Sequence, residues 1–275
     1  QFACLRTVWS PDATTATLGY SEEDVSLSFL LEGTPLFEGL WEIEVQEDGE
    51  VIEMAAEWEC VCWYSVEDVD YCELQLAFEG GPKIDRFLLL SRTNQFAVFG
   101  DVVTEAGGKR LDVVNRLPMC PDVKYSVVPG ARERSLTVGK QRVRVCPIAL
   151  PYDSGHGTAG SINVETDDDG DSCLVVATAS STGSSFSPVL LDWSPARRKG
   201  EAEWTPLTVT EAAEITRTNA AAFRVRTGQQ SLILFRAFRP TSRYRTVLGY
   251  LTEAETVIAE FTRKGDFNEL LMVEQ

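Results

Sequence analysis

The chain has 275 residues, 44% apolar and 24% charged, an ordinary globular balance that excludes wholesale disorder and fibrous repeats. Its 42 acids against 25 bases give a net charge of −17, which repels phosphate backbones and argues against nucleic-acid binding. The single histidine, His156, excludes any mechanism that needs two.

Taken in order, the chain reads as strands separated by turns. Trp41–Val45 alternates apolar and acidic residues and stops at Asp48-Gly49, a hairpin signal, with Val51–Met54 returning. Trp58, Cys60, Cys62 and Tyr64 fall on one face of the next strand, and Cys72, Leu74, Leu76 and Phe78 on one face of its antiparallel neighbour. A hairpin centred on Glu67 sets Cys62 opposite Cys72. Ile84–Leu90 and Phe96–Val103 flank a further turn at Arg92–Gln95. Beyond it lie Ser135–Val138, Gln141–Leu150, Cys173–Ala179, Val189–Trp193, Ala221–Arg226, Ser231–Phe238, Thr256–Thr262 and Phe267–Val273. Glu211–Ile215 reads as one helical turn. Leu251–Phe261 has partial helical spacing, but its β-branched residues favour a strand. The sum is about 16–20 short strands. The fold class is all-β, either one large antiparallel β-sandwich or two sandwiches in series.

Charge divides the chain. Residues 1–130 hold 24 acids and 8 bases, whereas residues 131–275 hold 18 and 17. This division predicts an acidic half, 1–130, and a charge-balanced half, 131–275, within two sandwiches or one continuous domain. The longest uncharged run, Ser172–Leu191, is centred on a Ser/Thr/Gly turn, so no membrane insertion is expected. The odd count of seven cysteines, mostly within apolar runs, points to buried free thiols and a cytoplasmic setting. The start at Gln1 fits a processed product or part of a longer polypeptide.

Each motif has a plain structural counterpart. Gly155–Gly160 matches G-x-G-x-x-G, but a strand rather than a helix follows, which favours a surface loop over a phosphate cradle. In that loop His156 and Tyr152 are the candidate catalytic residues if the chain is an enzyme. The acidic stretch 165–171 fails the calcium-loop pattern, because Val176 stands where the bidentate Glu belongs. Cys60-x-Cys62 is too tightly spaced for zinc, and no metal or cofactor is expected. The bases give the most coherent pattern. Lys140, Arg142 and Arg144 share one face of a strand, and Arg224/Arg226 and Arg243/Arg245 repeat the spacing. Such stripes either hold an anionic ligand or pair with local acids.

Trp58–Trp63 with Asp68–Tyr71, then Arg86–Phe96, and finally Tyr244–Tyr250 ahead of Ile258–Thr262 together resemble heparinase II/III-like β-sandwich proteins of planctomycete-type bacteria. In lyases of that family a helical toroid precedes the sandwich and supplies most catalytic residues. No such helical region is present here, so the resemblance implies a β-sandwich of the kind that accompanies sugar-handling domains and carries over no catalytic residue. The sequence thus predicts a non-catalytic β-sandwich protein accessory to anionic polysaccharide handling, with Lys140, Arg142 and Arg144 on the ligand. Two alternatives stand beside it. One is a structural or assembly protein that forms a homo-oligomer or binds a protein partner. The other is a carbohydrate-active enzyme using His156.

Overall fold

A computed structural model describes residues 1–53, 57–77, 82–104, 109–150, 158–181, 183–262 and 264–274. In chain order, β1 (Phe2–Arg6), β2 (Thr15–Tyr20), β3 (Val25–Leu31), β4 (Thr34–Leu40), β5 (Glu42–Glu47) and β6 (Glu50–Val51) enter a first sheet. Next, β7 (Glu59–Ser65), β8 (Val69–Ala77), β9 (Lys83–Ser91) and β10 (Phe96–Thr104) begin a second. The chain then moves between the two. β11 (Leu111–Met119) returns to the first sheet. β12 (Lys124–Val127), β13 (Arg134–Val138) and β14 (Gln141–Pro147) extend the second. β15 (Thr158–Thr166) and β16 (Ser172–Ser180) complete the first, and β17 (Ser184–Phe186) and β18 (Val189–Asp192) complete the second. The rest forms two smaller sheets. β19 (Ala202–Pro206), β22 (Ala220–Thr227), β23 (Gln230–Ala237), β26 (Thr256–Phe261) and β27 (Phe267–Val273) make the third. β20 (Val209–Glu211), β21 (Glu214–Thr216), β24 (Arg245–Val247) and β25 (Tyr250–Thr252) make the fourth.

All the strand pairings are antiparallel, and no α-helix occurs among the described residues. The four sheets stack face to face as a multilayer β-sandwich. The first core lies between sheets one and two, where Leu27, Phe29 and Val113 meet Leu74, Leu88 and Phe99. The second lies between sheets two and three, where Tyr71, Phe87 and Leu190 meet Trp204, Phe223 and Leu234. The third joins sheets three and four through Ala222, Phe235 and Val257 against Val209 and Val247.

Burial follows the layering. In the outer first sheet, β3 and β11 alternate buried and half-exposed residues, as strands with one wet face do. In the inner second sheet, β9 and β10 are buried almost without interruption, because both faces are covered. Gly100, mid-strand in β10, makes room for the link between β17 and β18, since an added Cβ would sit 2.3 Å from the carbonyl oxygen of Ser187.

Polar side chains inside this stack are held by arginines. Arg86 projects from β9 toward the first sheet, where its Nε and Nη2 donate to Asp101 at 2.9 and 3.1 Å and its Nη1 to the carbonyl of Trp41. Its guanidinium lies 4.2 Å from the Trp41 ring and 5.1 Å from that of Trp58. Arg236 reaches from β23 back into the second sheet and donates to Glu73 at 2.8 Å, Asp85 at 2.7 Å, Glu255 at 2.9 Å and Thr256 at 2.6 Å. Within the fourth sheet, the buried Arg245 of β24 donates to its β20 neighbour Glu211 at 2.8 Å.

Several expectations are corrected. The described residues hold 27 strands, not 16–20, because pieces of two to four residues such as β6, β17, β20, β21, β24 and β25 are too short to show a pattern. Glu211–Ile215 is not a helical turn but a hairpin between β20 and β21, closed by Ala212 and Ala213 at φ of 50° and 66°. Cys62 does not face Cys72. A bulge between Cys60 and Cys62 shifts the register, so that Trp63 pairs with Cys72 and Cys62 with Glu73. Trp58, Cys60, Cys62 and Tyr64 therefore do not share a face: Trp58 packs in the first core and Cys62 against the second. Sheets one and two draw strands from both sides of residue 130. By contrast, Leu251–Phe261 lies largely in strands β25 and β26, as its β-branched residues favour.

Removing Arg236 leaves buried carboxylates without their main cation. Arg236→Met should cost about 3–5 kcal/mol, the usual result of breaking one side of a buried ion pair. A shift of the urea midpoint measures it. The exposed Arg226→Met serves as the control and should stay within about 0.5 kcal/mol of wild type.

Candidate functional site

The stripe predicted to meet an anionic ligand divides at the surface. Lys140 sits in the turn before β14 and is exposed, as is Arg142, whose Nε donates to the Ser135 hydroxyl at 3.0 Å. Arg144 does not reach solvent. Only 8% exposed, it lies 3.0 Å from Glu133 and 3.9 Å from Asp192 and donates to the Gly200 carbonyl. The reason is directional. The face of β14 that carries the three bases also carries Cys146 into the second core, so it turns from the rim of the molecule to its interior within a few residues.

What the stripe loses at Arg144 it recovers from another segment. A single 3-10 turn, Pro195–Arg197, brings the run Arg197–Lys199 against β14. Arg197 points inward and binds Asp192 at 2.8 Å. Arg198 points the other way, and its Nη2 donates to the Arg142 carbonyl at 3.0 Å and to the Trp193 carbonyl at 3.1 Å. Lys140, Arg142, Arg198 and Lys199 are thus four exposed cations at one corner. Two acids adjoin them: Glu32, bonded to Gln141 at 2.5 Å, and Glu201. The sequence shows Arg197–Lys199 only as a basic loop. Nothing in its spacing ties it to Arg142, because 56 residues separate the two arginines that meet.

Elsewhere the arginines are engaged. Arg132 stacks 4.1 Å from the Trp204 ring and donates to the Trp204 and Leu150 carbonyls. Arg134 donates to the Tyr125 hydroxyl, and Arg224 to Ser231 while lying over Phe261. Arg245 is buried, whereas Arg226 and Arg243 are exposed. His156 and Tyr152 lie outside the described residues. So does the first half of the glycine motif, and Thr158 just beyond it begins β15, the strand expected there.

Acids dominate the first sheet. A cleft of about 310 Å³ is lined by Glu23, Asp24, Glu42 and Glu44 together with Trp41, Trp58 and Arg86. A second, of about 720 Å³, is lined by Glu38, Glu165, Asp167 and Asp171. Both clefts include Glu42 and Arg116. In the acidic stretch at 165–171, Asp167 accepts the backbone N–H groups of Asp169 and Asp171 at 3.0 and 2.9 Å, as a turn-forming side chain does. These clefts repel anions, whereas the basic corner attracts them.

The one set of carboxylates close enough to share a cation is Glu73, Asp85 and Glu255, whose oxygens lie within 4.8 Å of one another among the described residues. Arg236 Nη2 donates to all three, so the cation that this cluster balances is the chain's own guanidinium. Lys83 adds a contact of 3.0 Å to Asp85, and Tyr71 donates to Glu73. The donor set fits an inter-sheet ion network, not a metal centre. Burial raises the Glu255 carboxyl above its ordinary value and outweighs the pull of Arg236, while Glu73 and Asp85 push in the same direction as burial.

No protein family model matches the sequence, and no curated protein matches it. Solved structures match it in shape. Heparan sulfate lyase HepC from Pedobacter heparinus superposes with a TM-score of 0.59 at 9% identity, covering 86% of this chain and 41% of that one. A heparinase III structure superposes at 0.57 and 10% identity, covering 86% and 41%. The chain has a heparinase-like, β-rich fold and spans about two-fifths of the length of those lyases. The likeness lends no support to a planctomycete source.

The raised Glu255 pKa gives a pH signature. A carboxyl whose folded pKa exceeds its unfolded one is protonated more readily in the folded chain. Its contribution to stability therefore falls as pH rises from the ordinary carboxylate range through the raised value. Glu255→Gln removes that titration. Wild type and variant should have similar thermal midpoints near pH 4 and diverge toward about pH 7, with the variant the more stable.

Proposed function

We propose that the chain is a non-catalytic β-sandwich module that binds an anionic polysaccharide at the corner formed by Lys140, Arg142, Arg198 and Lys199. The observation that carries this reading is the hydrogen bond from Arg198 to the Arg142 carbonyl. It fixes two segments, distant in sequence, so that four cations face solvent together on a chain of net charge −17. Buried and paired, Arg144 supports the corner from below and does not contact the ligand. The fold likeness to a heparan sulfate lyase supports sulfated or carboxylated chains as the ligand class. Guanidinium groups suit them, because each can present two parallel N–H donors to a sulfate or carboxylate.

A second reading, assembly with a protein partner or another copy, draws on a different observation. Trp9 is 88% exposed, with the Arg6 guanidinium 3.9 Å from its ring, and Phe2 is 77% exposed. Large apolar side chains so open to solvent are common at contact surfaces.

Immobilised heparan sulfate tests the first reading. Wild-type protein should be retained at about 0.1 M salt and released toward about 1 M, as the screening length falls from ~10 to ~3 Å. The double change Arg142→Ala with Arg198→Ala removes two exposed contacts worth about 0.2–1 kcal/mol each, a loss of roughly two- to thirty-fold in affinity, with the melting temperature unchanged. Arg226→Ala and His156→Ala should bind as wild type. Equal binding by the double variant overturns the corner as the site. A defined multimer by native mass, lost in Trp9→Ala, replaces the reading with assembly.

A further inference from the structure

The bulge in β7 has a chemical result that regular pairing would not give. β7 is the edge strand of the second sheet and is bonded only to β8. Cys60 pairs in register with Leu74, a residue of the first core, while Trp63 pairs with Cys72, another residue of that core. Cys60 and Cys72 are therefore diagonal neighbours on one side of the β7–β8 ladder, near enough that the Cys60 thiol bears on the ionisation of Cys72, while the Cys60 thiol donates to the Cys62 carbonyl at 3.7 Å. Across the core, Tyr20 of β2 lies near both thiols, and burial, then the two thiols, raise its pKa. The two thiols differ in access: Cys60 is exposed, whereas Cys72 is fully buried. Cys62, two residues from Cys60, is turned to the other side, near Glu73 and Arg236.

We propose that Cys60 and Cys72 form a redox-responsive pair, which a small external disulfide converts to a cross-strand disulfide that staples the edge strand β7 to β8. The exposed Cys60 reacts first. Its thiolate attacks one sulfur of a low-molecular-weight disulfide, RSSR, forming a mixed disulfide and expelling RS⁻, which takes up the proton that Cys60 has lost. Cys72 then attacks the Cys60 sulfur, its proton passing to the second RS⁻ as it leaves. Overall, two protein thiols and one RSSR give one protein disulfide and two RSH. The protein is oxidised by two electrons, and the external disulfide is reduced by the same number.

The environment suits this order. Burial, then the neighbouring Cys60, raises the Cys72 thiol, so Cys72 stays protonated while Cys60 is free. Once Cys60 carries the mixed disulfide, only burial, the larger cause, and the more distant groups hold the Cys72 thiol up. Diagonal cross-strand neighbours begin near the ~7 Å upper end of the Cα spacing that a disulfide spans, so closure draws β7 inward. β7 can follow, because it is bonded on one side only and is already bulged at this point.

The full chain is incubated with glutathione disulfide, quenched with an alkylating reagent, and mapped by peptide mass. The wild type and Cys62→Ser should lose two hydrogen masses, yield a peptide joined at Cys60 and Cys72, and retain no glutathione. Cys72→Ala, an apolar replacement chosen so that the core stays intact, should stop with glutathione on Cys60. Cys60→Ser should take up none at this pair, and dithiothreitol should reverse the bond in wild type. Persistent glutathione on wild-type Cys60, a bond from Cys62, or complete resistance of Cys60 would each overturn the proposal.

Discussion

A sheet with no wet face is the constraint from which the rest of this molecule follows. In β8, β9 and β10 successive side chains enter two different cores, and no position is left where a polar group meets water cheaply. Yet Glu73, Asp85, Arg86 and Asp101 are all there, each no more than 3% exposed. A buried charge survives only when paired and hydrogen-bonded, so each face of the sheet is built around one arginine and its carboxylates. Arginine suits this better than lysine, because its planar fork satisfies several acceptors at once and holds its charge when desolvated. Arg86 links the middle sheet to the Trp41 backbone of the first sheet, and Arg236 crosses from the third sheet to reach it.

The same constraint shapes the surface. Arg86, Arg144, Arg197, Arg236 and Arg245 are committed to carboxylates inside the stack. Their partners Asp101, Glu133, Asp192, Glu73, Asp85 and Glu211 are withdrawn with them, so the exterior keeps the acidic excess of the whole chain. Against that background the corner at Lys140, Arg142, Arg198 and Lys199 is a local exception, and its field is confined to about a Debye length. An anion beyond that distance meets the field of the acidic molecule as a whole.

The sequence makes the all-β class plain, since strands such as β5, β9, β10, β23 and β27 stand out by alternation or apolar runs. It says much less about layering. In β9 the charged Asp85 and Arg86 precede an apolar run, Phe87–Leu90, and only the third sheet reveals that Asp85 is as buried as Leu88. Likewise, the i, i+2 spacing of Lys140, Arg142 and Arg144 fixes a shared face but not what covers it. The bulge at Val61 has no mark in the sequence, and without it the cysteine register moves by one. The alternating Val25–Phe29 stretch of β3 was there to be read. The meeting of Arg198 with Arg142 was not, because it depends on where β14 and β18 lie side by side.

The order in which the sheets are threaded bears on how the chain reaches this state. The third and fourth sheets are drawn wholly from residues 202–273, largely as neighbouring hairpins, whereas the first two exchange strands from Phe2 to Asp192. During synthesis, then, β7–β10 emerge well before either of their covers is complete, since β16 and β23 have yet to be made. Non-local pairing of this kind is slow, and unfinished sheets expose sticky faces and edges. The acidic N-terminal segment is the part that waits longest, and its surplus negative charge opposes contact between half-built molecules.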